Sequence, residues 1–135
     1  PLPQPLDPDK DNTTTEITIP ESGYELFPGI VYLGATVEKM TTFGLAPEID
    51  GRSSFGRLGL IVHLTAGYID SGFSGHYTLE LAVIQPKIIY PFRQICQVSY
   101  SPIEGRTQHY CGKYNGQVEP TASRSFQERP NQEEK

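Results

Sequence analysis

Apolar residues in this chain recur mostly at every second position, in runs of strand length broken by Gly or Pro. The clearest runs are Glu16–Ile19, Ile30–Glu38, Leu60–Leu64, Tyr77–Ile84, Lys87–Tyr90 and Cys96–Tyr100. No window sustains a helical period, and 13 Gly and 12 Pro supply frequent turns between the runs. Many short strands with turn signals predict an all-β sandwich or barrel, and no internal repeat is present. Residues 1–15, rich in Pro, Asp, Asn and Thr, read as an irregular arm. Residues 119–135 are polar and read as mobile at the tip.

Alternation is sharpest in Tyr77-Thr78-Leu79-Glu80-Leu81-Ala82-Val83. It puts Tyr77, Leu79, Leu81 and Val83 on one face, which reads as core, and Thr78, Glu80 and Ala82 on the other. Glu80 therefore projects from mid-strand, away from the leucines. A solvated outer-face glutamate and a functional carboxylate both satisfy this pattern.

Composition narrows the class. A chain of 135 residues with 36% hydrophobic and 20% charged residues suits one soluble domain with its own core. A formal net charge of −5 argues against a nucleic-acid polymer as partner, while leaving room for a single nucleotide. No apolar run approaches a membrane span and no signal peptide opens the chain, so the expected location is cytoplasmic, with no membrane partner. Cys96 and Cys111 read as reduced thiols, with pairing as the alternative. With His63, His76 and His109 scattered, no zinc site is expected.

Two loops carry candidate chemistry. In Gly51-Arg52-Ser53-Ser54-Phe55-Gly56-Arg57, a short helical turn starting near Ser53 leaves free backbone amides. Those amides, the hydroxyls and Arg52 suit a phosphate, and Ser53 and Arg57 share one side of the turn. An ordinary capped turn with surface arginines is the alternative. In Thr65-Ala66-Gly67-Tyr68-Ile69-Asp70-Ser71-Gly72, glycines allow close backbone approach to a ligand. Asp70 could accept from a sugar hydroxyl and Tyr68 offers a ring with a polar tip. A hairpin whose Asp70 bonds its own turn amides is the competing reading.

Together these segments resemble one family. GRSSFGRLGLIVHLTAGYIDSGFSGHYTLEL, residues 51–81, is similar to the central block of dCTP deaminases, relatives of dUTPases. HYCGKYNGQVEPTASRSF, residues 109–126, resembles their nucleotide-closing tail, and LFPGIVYLGATVE, residues 26–38, extends the likeness upstream. The resemblance implies one domain over residues 1–135: an irregular arm (1–15), a β core (16–108), a closing tail (109–126) and a mobile end (127–135). The implied fold is a distorted β-barrel or jelly roll of the dUTPase-like, β-clip type with one short helical turn. It also implies a homotrimer with active sites between neighbouring subunits.

The activity implied is zinc-independent hydrolysis of dCTP to dUTP and ammonia, on the route to dUMP and dTTP. Glu80 would be the general acid–base, with Arg57 and Ser53 holding water and stabilising the tetrahedral species. The substrate-binding set implied is Arg52, Ser54, Ala66, Tyr68, Asp70, Lys113, Tyr114 and Gln117. Mg²⁺ would be held mainly by the triphosphate. The wording around Asp70 is closer to bifunctional members that continue to dUMP and diphosphate. The alternatives are a dUTP diphosphatase without deamination, and a non-catalytic relative that binds dCTP or the inhibitor dTTP.

Three departures stand out. The family's opening helix and Ser-Ile-Asp-Leu-Arg-Leu-type strand have no counterpart before Pro1. Its Pro-Gly-Met-x-Ile-Gly-Gln turn appears as Pro91-Phe92-Arg93-Gln94-Ile95-Cys96-Gln97, so Phe92 and Cys96 stand at glycine positions where positive φ would strain them. Leu81-Ala82-Val83-Ile84-Gln85-Pro86 lacks the family's Asn after this strand.

Overall fold

The computed structural model describes residues 5–128 of the chain. Its elements run β1 (Tyr24–Leu26), β2 (Tyr32–Thr41), β3 (Leu45–Gly51), α1 (Ser53–Gly56), β4 (Leu60–Ile61), β5 (Ser74–Val83), β6 (Lys87–Ile89) and β7 (Cys96–Pro102). A 3₁₀ turn at Ser125–Glu128 follows. The protein is thus all-β with a single turn of α-helix among the described residues, as the period-2 pattern predicts.

The strands form three small antiparallel sheets, β1–β6, β2–β5–β4 and β3–β7, with no closed barrel among the described residues. One core unites them. Leu26 of β1, Ile49 of β3, Leu60 of β4, the β5 set and Ile89 of β6 pack in one cluster with Val62 and Phe73. The β5 set is the one alternation selects: Tyr77, Leu79, Leu81 and Val83 are buried and the residues between them half-buried. Each such leucine or valine contributes roughly 1.5–3 kcal/mol by leaving water.

Several boundaries differ from the sequence pattern. Glu16–Ile19 forms no strand; Ile17 is exposed and Ile19 packs against the core. β1 and β3 go unannounced by alternation. β3 contains Pro47, a residue that usually argues against a strand, yet it pairs with β7 from Leu45↔Pro102 to Gly51↔Cys96. The fully buried Pro47 also lends its carbonyl to the Ile69 amide on its other side. β4 stops at Ile61, short of Leu64, because the Leu64 amide is taken by a side chain of β5.

β2 carries a bulge, since the register jumps between Ala35↔Thr78 and Lys39↔His76. Thr36 fills the gap: its hydroxyl accepts from the Tyr77 amide (2.9 Å) and donates to the Glu38 carbonyl (2.9 Å).

Candidate active site

Glu80 sits in the middle of β5, opposite Leu33 of β2 and facing away from the buried leucines. After β4 the chain passes over this face, and the amides of Leu64 (3.1 Å) and Thr65 (3.2 Å) both donate to Glu80 Oε2. One carboxylate oxygen is therefore fixed by backbone, and Oε1 has no hydrogen-bond partner among the described residues. A merely solvated glutamate would not gather two amides from a separate loop. The next residue, Ala66, adopts φ 59°, a left-handed conformation rarely taken outside glycine, which turns the chain back.

That loop is strapped to β3. Ile49 N donates to Gly67 O (2.8 Å), Ile69 N to Pro47 O (2.8 Å), and Tyr68 bridges Glu48. Gly67 keeps the approach close, as a β-carbon would lie 3.0 Å from both the His63 ring and the Ile49 carbonyl and push one of them back. The straps leave Tyr68 and Asp70 exposed. The turn after Asp70 closes through its own carbonyl, which accepts from Phe73 N (3.2 Å). Its carboxylate bonds no turn amide among the described residues, so the hairpin reading does not hold.

The helical turn α1 differs in one detail from expectation. Arg52, not Ser53, is its N-cap, with extended dihedrals and no side-chain cap. The Ser53 and Ser54 amides have no hydrogen-bond partner among the described residues, and their side chains are exposed. Arg57 is the C-cap and donates its amide to the Ser53 carbonyl (3.0 Å). Its guanidinium makes no ion pair with Glu80 among the described residues. The Arg52 guanidinium instead bonds the β6–β7 turn, through Gln94 O (3.0 Å) and Gln94 Oε1 (3.1 Å).

The tail returns to β5. Gly116 N donates to Ser74 O (2.7 Å), His76 N to Gln117 O (2.9 Å), and Gln117 Nε2 to His76 O (2.7 Å). Asn115 Oδ1 accepts from Ser74 N (2.9 Å), and Thr121 N donates to Thr78 Oγ1 (3.2 Å). Within the tail, Lys113 pairs with Glu128, and the Arg124 guanidinium bonds the Lys113 carbonyl. The Glu128 carboxylate hydrogen-bonded to it pushes the Lys113 ammonium pKa up. The Tyr114 hydroxyl accepts from Arg124 N (2.9 Å), while Lys113 Nζ lies 5.2 Å from the Tyr114 ring centroid.

The candidate residues are thus arrayed along β5: Gln117 beside its first half, Glu80 under the Leu64–Thr65 amides, and α1 leading into β4, which pairs with Ala82 and Val83. A cavity of about 500 Å³ lies between the arm and tail, lined by Asp11, Gln117, Arg124 and neighbours. A second, about 260 Å³, lies on the β3–β7 pair at Glu48, Asp50 and Gln97. Among the described residues, no group of three His, Cys, Asp or Glu side chains is placed to hold a metal, and Cys96 and Cys111 are free. No helix among them is long and apolar enough to cross a membrane.

Sequence reading misses the groups acting through backbone. The Leu64 and Thr65 amides carry no side-chain signal. Gln94 and Asn115 look like ordinary turn residues until the fold brings them to Arg52 and Ser74.

A family model described as dCTP deaminase-like matches residues 2–103. A dCTP deaminase, dUMP-forming, of Hathewaya histolytica is 51% identical over 119 residues, covering 86% of this chain and 69% of the relative. The protein of that name from Leptospira biflexa is 47% identical over 120 residues, covering 87% and 69%. The one from Cytophaga hutchinsonii is 45% identical over 119 residues, covering 86% and 69%.

Proposed function

The chain belongs to the dCTP deaminase-like family, and from that premise we propose that it is a hydrolase that deaminates dCTP and carries the product on to dUMP. The observation that carries the reading is the Glu80 carboxylate, held by two backbone amides at Oε2 with Oε1 left open. The dUMP-forming step is favoured by the names of the similar proteins and by the Thr65–Asp70 sequence, which resembles that of bifunctional family members.

In this mechanism Oε1 of Glu80 takes a proton from water as the oxygen attacks C4 of cytosine. The carboxyl passes that proton to N3, then moves the proton of the new C4 hydroxyl to the departing amine, so dCTP and water become dUTP and ammonia. The amides on Oε2 keep the carboxylate from rotating away between these transfers. Arg57 and Ser53 hold the water and stabilise the charge that develops on the tetrahedral species. Asp70, free of its own turn, accepts from the deoxyribose 3′-hydroxyl, and Tyr68 and Ala66 line the nucleoside. A second water then cleaves between the α- and β-phosphates, releasing dUMP and diphosphate.

Arg52, Ser53 and Ser54 bind the triphosphate through a guanidinium, hydroxyls and unpaired amides. No carboxylate belongs to this set, so Mg²⁺ would be held by the phosphate oxygens, where it neutralises their charge. Lys113, Tyr114 and Gln117 close over the phosphates from the tail and exclude bulk solvent, leaving the reacting water in place.

The assembly proposed is a homotrimer with shared sites. Support comes from large apolar residues left exposed on the single chain, including Phe92 (84%), Ile84 (70%), Phe43 (63%) and Val37 (62%). Sedimentation equilibrium tests it. The activity is tested by incubating the protein with dCTP and Mg²⁺ and separating the nucleotides by chromatography. Appearance of dUMP and diphosphate is the expected result, and dUTP alone would restrict the reaction to deamination. Cleavage of dUTP with dCTP untouched would make it a diphosphatase. Turnover of neither would leave a nucleotide-binding relative.

A further inference from the structure

The β3–β7 pair ends at Gly51↔Cys96, and the chains continue side by side just past it. Arg52 N donates to Ile95 O (3.3 Å), and Gln97 Nε2 reaches back to Gly51 O (3.4 Å). One residue further, Gln94 presents two oxygens, its carbonyl and its side-chain Oε1, to the same nitrogen of Arg52, Nη1, at 3.0 and 3.1 Å. An Nη nitrogen carries a pair of hydrogens, so both are consumed. What remains is the Nε–Nη2 edge, the parallel pair of donors that meets a phosphate in bidentate fashion.

The turn that delivers Gln94 is unusual. Phe92 adopts φ 58° directly after Pro91, a conformation normally left to glycine. The family pattern leaves open the position that Gln94 fills. We propose that Gln94 is a positioning residue for substrate: it fixes the Arg52 guanidinium from behind so that the free edge faces the triphosphate. This rests on the reading that Arg52 binds phosphate. Without the Gln94 amide oxygen, the guanidinium must lose rotamer freedom each time nucleotide binds.

The test is steady-state kinetics with dCTP and Mg²⁺ on Gln94→Ala, Gln94→Met, Gln94→Glu, Arg52→Ala and the Arg52→Ala/Gln94→Ala pair. Thermal melts check that each is folded. Loss of the acceptor in the Ala and Met variants is expected to raise KM about five- to ten-fold, the size of one exposed hydrogen bond to a charge, with kcat little changed. Gln94→Glu, which keeps an oxygen in place, restores KM. In the Arg52→Ala background, removing Gln94 adds nothing further.

Additive effects in the double variant, or a parental KM in Gln94→Ala, overturn the inference while leaving the phosphate role of Arg52 standing. A parental KM in Arg52→Ala overturns both, because there is then no phosphate contact to position.

Discussion

Glu80 is where the local pattern and the long-range fold meet most closely. Alternation along β5 aims its side chain out of the core, and the loop after β4 supplies the amides that decide what the carboxylate can do. Glu80→Gln keeps the size but removes the base. It is expected to lower kcat about 10²- to 10⁴-fold while dCTP binding, followed by equilibrium dialysis, stays near parental. Phe92 and Cys96 both stand at the family's glycine positions, where positive φ would strain them, and only Phe92 takes that backbone. Phe92 has φ 58°, whereas Cys96 opens β7 opposite Gly51 with no left-handed dihedral. Left-handed backbone costs a residue with a β-carbon about 1–2 kcal/mol, and glycine gives back part of that through its greater unfolded-state freedom. Phe92→Gly should therefore stabilise the chain by about 0.5–1 kcal/mol, read as a higher urea midpoint at unchanged slope.

At the scale of elements, β5 organises the molecule. Its inward face anchors the core, its outward face carries Glu80, and β4 covers only the edge at Ala82 and Val83. The tail takes the edge near Ser74 and His76 that β4 leaves open. That docking depends on Gly75, where a β-carbon would lie 2.9 Å from Gln117 O and 3.0 Å from the Phe73 ring. Gly75→Val should push the tail off, since neither a backbone carbonyl nor a core aromatic can easily yield, at a cost of about 1–3 kcal/mol. Hydrogen exchange is the direct check: the His76 and Gly116 amides should lose protection, while the core amide of Leu81 keeps its own. Retained protection at Gly116 would mean that the tail is held elsewhere.

The molecule as a whole carries its titration risk on the alkaline side. Burial pushes the Cys96 thiol up, helped by the Glu38 charge, and burial pushes the Tyr77 phenol up against the opposing Thr42 hydroxyl. Below their ordinary values both groups are protonated folded or unfolded, and they leave stability unaffected. Above about pH 8.5 for the thiol and about pH 10 for the phenol, the unfolded chain releases protons that the native state retains. The unfolded state then binds fewer protons, so stability falls as pH rises. Urea midpoints should therefore decline from about pH 8 upward, and Cys96→Ala should flatten the first part of that decline. An unchanged slope in Cys96→Ala would assign the loss to other groups.

The sequence by itself was enough for the all-β class, the inward face of β5, the outward Glu80 and the family. Each depends on period-two alternation or on residue types in order, which neighbours along the chain record. Tertiary structure decided the rest. β3 survives Pro47 because β7 pairs along its length and the Ile69 amide uses the Pro47 carbonyl. The strand expected at Glu16–Ile19 does not form; Ile17 stays exposed while Ile19 packs against the core. Leu64 and Thr65 reach Glu80, and Gln94 reaches Arg52, across chain separations that no local pattern encodes. Hydrogen bonds from backbone amides depend on where the chain passes rather than on which side chain it bears, and that path exists only once the core has formed.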